Sequence, residues 1–113
     1  MRVVAVFDDL LLGSNVLGML RAAGHEAELA RPDAARPGGA AVLVVDLAGF
    51  DGVALVERLR AAGELGTTKV LGVHSHVDVD SRRRAEAAGF DLVVPRSRMA
   101  REGAALVERL AVT

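Results

Sequence analysis

The sequence predicts an α/β sandwich of three layers built on a five-stranded parallel sheet. Three observations predict it. Short apolar runs alternate with amphipathic stretches along the 113 residues, which is the pattern of repeated strand–helix units. Residues 40–45 are apolar throughout, as a strand covered on both faces must be. Glycines (Gly24, Gly63 and Gly89) follow three of the amphipathic stretches, where a helix end favours them.

Taken in order, residues 2–7 form the first strand. A helix over residues 13–23 follows, with Val16, Leu17 and Leu20 at core-facing spacing and Gly24 closing it. Residues 25–30 read as a weak second strand. Between residues 31 and 39, two prolines and a Gly-Gly leave room for about one helical turn, so this crossover is short. Residues 40–45 are the third strand. Asp51 caps a helix whose Val53, Val56 and Leu59 share one face, ending at Gly63. Residues 69–74 are the fourth strand. Asp80 or Ser81 caps the next helix, which ends at Gly89, and residues 90–94 are the fifth strand. A last amphipathic helix carries Met99, Leu106, Val107 and Leu110. With no repeat or linker, residues 1–113 read as one domain of five strands and four or five helices. That is the size of a flavodoxin-like sandwich with strand order 2-1-3-4-5.

Composition narrows the function. Hydrophobic content of 51% and charged content of 26% fit a globular chain. Three Phe with no Tyr or Trp leave a core of Val, Leu and Ala and no stacking platform for bases. A net charge of -1 recruits neither nucleic acid nor anionic membrane. Without cysteine there is no disulfide and no thiolate metal site. The first apolar run is too short for a signal peptide, and no stretch approaches the roughly 18 apolar residues of a membrane span. A cytoplasmic location is the expectation. The 14 basic residues comprise thirteen arginines and a single lysine, Lys69.

Asp8 and Asp9 follow the first strand and Asp46 follows the third. Neighbouring parallel strands open their ligand crevice at their carboxyl ends, so these acids converge there. Clustered carboxylates repel unless a cation, a proton or an arginine compensates them.

These residues give the chain a resemblance to the receiver domains of two-component response regulators, the CheY-like superfamily, over nearly its whole length. Asp8-Asp9 and Asp46 match that family's acidic pair and phosphoacceptor. Asp51-Gly52-Val53-Ala54-Leu55 resembles the start of its third helix, and Ala87-Ala88-Gly89-Phe90-Asp91 its turn into strand five. Aligned on that turn, His74 falls at the family's Thr/Ser position and Arg96 at its Lys position. The resemblance implies Asp46 as phosphoacceptor, Mg²⁺ on Asp8, Asp9 and Asp46, and a protein partner. That partner is a histidine kinase or a downstream effector, docked on the helix before strand five, strand five and the last helix.

The sequence also departs from the family pattern. The loop at residues 47–50 is about two residues short and lacks Met-Pro, and the second helix is truncated. Val93 stands where strand five usually carries Tyr or Phe. Lys69 lies at the amino end of strand four, away from the crevice. Arginine is a planar, permanently charged fork and a poor substitute for a lysine point charge. Arg96 lying against Asp46 would replace the cation. The reading is a divergent stand-alone pseudo-receiver, a non-enzymatic signalling and interaction module whose phosphorylation site is degenerate. The alternative is a functional phosphoacceptor of a phosphorelay using Asp46 and Mg²⁺.

Other chemistries are weaker. His74-Ser75-His76-Val77-Asp78 has the residue types of a zinc site, but the chain's third histidine, His25, opens strand two. The same segment holds Ser, His and Asp, but adjacent residues in an extended strand point apart, and no Gly-x-Ser-x-Gly elbow is present. Residues 11–15 lack a glycine-rich phosphate loop. The Asp-x-His-x-x-Gly signature of cobalamin domains is missing. Arg82-Arg83-Arg84 reads as a solvated helix face.

Overall fold

A computed structural model describes residues 1–75 and 77–113. Its elements in chain order are β1 (Arg2–Val6), α1 (Leu10–Ala22), β2 (Glu26–Ala30), a single 3₁₀ turn (Pro32–Ala34), β3 (Val42–Asp46), α2 (Gly52–Ala61), β4 (Lys69–His74), α3 (Val79–Ala87), β5 (Leu92–Pro95) and α4 (Arg96–Ala111). The sheet order is β2-β1-β3-β4-β5 with every neighbouring pair parallel, as the sequence predicts. The short crossover at residues 31–39 holds one 3₁₀ turn, again as expected.

Alternation along the central strands builds two cores. Val3, Ala5, Phe7, Val42, Val44, Leu71 and Val73 face α1 and α4, where Val16, Leu20, Met99, Leu106 and Val107 cover them. Val4, Val6, Leu43, Val45 and Val70 face α2 and α3, beneath Val53, Val56, Leu59 and Ala85. Every residue of β3 is buried. With helices on both faces, a strand has no polar side to offer, and β3 is accordingly Val-Leu-Val-Val until its last residue.

Strand β1 ends at residue 6 in place of 7, and β2 and β3 start at residues 26 and 42 in place of 25 and 40. Four further differences from the sequence reading have a local reason. Helix α1 starts at Leu10 instead of residue 13, because the Asp9 carboxylate accepts the N–H groups of Leu11 and Leu12 and nucleates the helix at once. Asp78 caps α3 in place of Asp80 or Ser81, accepting both the N–H and the hydroxyl of Ser81. Strand β5 spans Leu92–Pro95 instead of residues 90–94. Gly89, at φ 83°, and Phe90 finish the helix end, the Phe90 N–H donating to the Ala85 carbonyl. Asp46 is the last residue of β3 and does not lie beyond it.

Candidate functional site

Asp46 ends β3 beside Val73 of β4, which in turn pairs with Val94 of β5. By alternation from Val42 and Val44, its side chain belongs to the α1/α4 face. It is 0% exposed. Two residues beyond Val94, Arg96 opens α4 directly after β5, with no loop between them. Two strand spacings separate Arg96 from Asp46, roughly 10 Å, which an extended arginine spans. Arg96 Nη2 donates to Asp46 Oδ2 at 3.2 Å and lies 3.5 Å from Oδ1. The Ala48 N–H also donates to Oδ1, at 3.3 Å. Both carboxylate oxygens are therefore occupied by donors. The Arg96 side chain remains 36% exposed, while its Nε is buried without a hydrogen-bond partner among the described residues.

Burial pushes the Asp46 carboxyl above its ordinary value, because the ionised form loses its water. Arg96 and the Ala48 N–H pull it back down, and the nearby Asp9 charge adds to the rise. Desolvation outweighs the arginine. The ionised form of Asp46 is thus held at a cost, with Arg96 as its principal compensation.

Among the described residues, the other predicted site residues make no hydrogen bond to this pair, although Asp9 lies near enough for its charge to act on Asp46. Asp9 turns toward α1, its Oδ1 taking the Leu11 N–H at 3.0 Å and the Leu12 N–H at 3.1 Å. Asp8 is exposed, and the loop after β3 passes over it. Gly49 sits there at φ +85°, and a Cβ added to it would lie 3.1 Å from Asp8 Oδ2. Glycine is needed at Gly49 both for its conformation and for the close approach. His74 continues the alternation of Val70 and Gly72, which places it on the α2/α3 face, opposite to Asp46. Its ring is buried, and Nδ1–H donates to the Ser75 carbonyl at 2.7 Å. The zinc reading of His74 with His76 involves His76, which lies outside the described residues.

A divalent ion implied by the resemblance requires several oxygens turned toward one point, in near-octahedral order for Mg²⁺. Among the described residues, no group of three acidic or histidine side chains is so arranged. Asp46 is engaged with Arg96, and one oxygen of Asp9 is committed to the helix cap. Asp8, Asp9 and Asp46 do not form such a group here.

Lys69 begins β4 at the amino edge of the sheet, far from this crevice, as the sequence indicates. It lines an open cavity of about 790 Å³ there, with Arg60, Thr67, Thr68 and Asp91. Arg60 is engaged with the Ala88 carbonyl and Asp91 with the Val70 N–H, so these polar groups close the amino ends of the strands. The sequence reading missed the capping role of Asp9. The signal was present, an Asp immediately before an apolar helical run.

No protein-family model matches the sequence, and no curated protein matches it. Solved structures do. The receiver domain of Francisella response regulator 1452 superposes with a TM-score of 0.75 at 17% identity, covering 98% of this chain and 96% of that one. The non-phosphorylated HemR receiver domain of Leptospira biflexa gives 0.78 at 21% identity, covering 99% and 94%. NtrX of Brucella abortus gives 0.81 at 19% identity over 98% of this chain, which spans only 26% of that longer protein. Strand order, helix placement and these superpositions agree: the chain has the fold of the response-regulator receiver domains.

Proposed function

We propose that this chain is a receiver-like signalling module that works by binding a protein partner, with a degenerate phosphorylation site and no catalysis of its own. One observation carries the reading. Asp46, at the phosphoacceptor position, is fully buried with both oxygens held by Arg96 and Ala48. A carboxylate nucleophile must present a free oxygen in line with the phosphorus of its donor. On this reading the guanidinium occupies that approach. His74, which the resemblance sets at the position that would grip a phosphoryl oxygen, falls by strand alternation on the opposite face of the sheet. On this reading the partner is a histidine kinase or a downstream effector, met on the α3–β5–α4 face, and the module acts in the cytoplasm. No helix among the described residues is long and apolar enough to cross a membrane.

The competing reading makes Asp46 a working phosphoacceptor with Mg²⁺ on the acids and Arg96 in the lysine role. Its support is the fold itself. Intact mass after incubation with acetyl phosphate and Mg²⁺ separates the two. The expected result is an unchanged mass. A stoichiometric phosphoryl adduct that disappears in Asp46→Asn would establish the competing reading.

A further inference from the structure

We propose that Arg96 is the resident cation of this carboxyl edge, a tethered charge that fills the place of a divalent ion and keeps the site closed to Mg²⁺. The inference rests on the reading of Asp46 just given and extends it to the charge balance of the site. The buried acid is a single carboxylate, and a single guanidinium at 3.2 Å answers it. Mg²⁺ surrenders its waters reluctantly and needs oxygens already turned toward it. Both oxygens of Asp46 already accept hydrogen bonds, and Asp9 Oδ1 receives two N–H groups at the start of α1. The ion would have to expel Arg96 to enter. Arg96 never loses its charge and is fixed to the backbone at the first residue of α4, so it cannot diffuse away from the site. A diffusible ion competes against a partner that is always present.

The test is a Mg²⁺ titration without any phosphodonor, followed by amide chemical shifts and by Tm, with NaCl at matched ionic strength as control. For the native sequence we expect no saturable shift and no rise in Tm. In Arg96→Gln, saturable shifts appear around Asp46 and Asp9 and Tm rises with Mg²⁺; both are lost in Arg96→Gln/Asp46→Asn. Arg96→Lys, whose compact ammonium withdraws more readily into water, gives a weaker saturable response and decides the matter if Arg96→Gln does not fold. Saturable binding centred on Asp46 in the native sequence overturns the inference. So does a folded Arg96→Gln that ignores Mg²⁺, or an unresponsive Arg96→Lys where Arg96→Gln is unfolded. A phosphoryl adduct on native Asp46 would remove the preceding reading and this inference with it, whereas a failure in the Mg²⁺ titration alone overturns only the inference.

Discussion

Cutting the Asp46–Arg96 pair from its two ends leaves different residues stranded, and the costs differ accordingly. Arg96→Met leaves a carboxylate that is 0% exposed without its compensating charge, which costs about 3 kcal/mol in buried pairs. Asp46→Asn leaves a guanidinium that is 36% exposed and can turn to water, while the amide still accepts from Ala48. Its stability stays within about 1 kcal/mol of the native sequence. Urea unfolding of both single variants and the double variant checks this, and equal losses in the two singles would refute the asymmetry. The pH dependence has a definite sign. The native carboxyl lies above the ordinary value of 3.8, chiefly through burial, so just above 3.8 the native state binds more protons than the unfolded chain. Asp46 therefore lowers stability as pH rises through that window, up to its native pKa, and Asp46→Asn does not. The native sequence should lose ground to Asp46→Asn as pH increases from about 4 toward neutrality. A difference that grows in the opposite direction would show the pair to be net stabilising.

At the scale of elements, the crevice is built by the ways in which α1, α2 and α4 begin. Asp9 is a cap before it is anything else, and this separates its hydrogen bonding from its charge. Asp9→Ala should cost about 1 kcal/mol, while Asp9→Asn, an equally good cap, should cost almost nothing. Thermal unfolding reads both, and equal destabilisation would mean that the charge matters more than the cap. Helix α2 starts against the end of β3. A Cβ on Gly52 would lie 2.7 Å from Val45 Cγ1 and 2.8 Å from the Asp46 carbonyl oxygen. Backbone cannot yield as a side-chain tip can. Gly52→Ala should therefore destabilise by about 2 kcal/mol, although alanine is the better helix former. A neutral or stabilising Gly52→Ala would show that β3 and α2 move apart at little cost. The Asp51-Gly52 pair was visible in the sequence as a motif, and the close approach supplies its physical reason. Helix α4 has no such device, since Pro95 provides no side-chain cap. Its first residue is tied down instead by the reach of Arg96 to Asp46.

Across the whole molecule, what could be read from the sequence was whatever depends on pattern. The uninterrupted apolar run of β3 announced a strand covered on both faces, and β4 matches residues 69–74 as predicted. Side-chain choices among several acids were harder to read. Asp78, Asp80 and Ser81 are all competent caps, and no local pattern separates them; in the structure Asp78 accepts the Ser81 N–H. Whether Arg96 meets Asp46 depends on strand order and register, which no local pattern encodes. That long-range tie joins the central strand β3 to the edge strand β5 and α4, and it bears on how the fold opens. Strands β1, β3 and β4 are covered on both sides, whereas β2 alternates buried and exposed residues and β5 is only half-buried. Local opening follows the density of buried contacts, so amides of β3 should exchange only through global unfolding and those of β2 and β5 sooner. Arg96→Gln removes a restraint from one edge alone. Hydrogen exchange in that variant should quicken selectively in β5 and the first turn of α4 and leave β2 at its native rate relative to global unfolding. Uniform acceleration across both edges would mean that the pair contributes only to overall stability and does not anchor the β5–α4 junction.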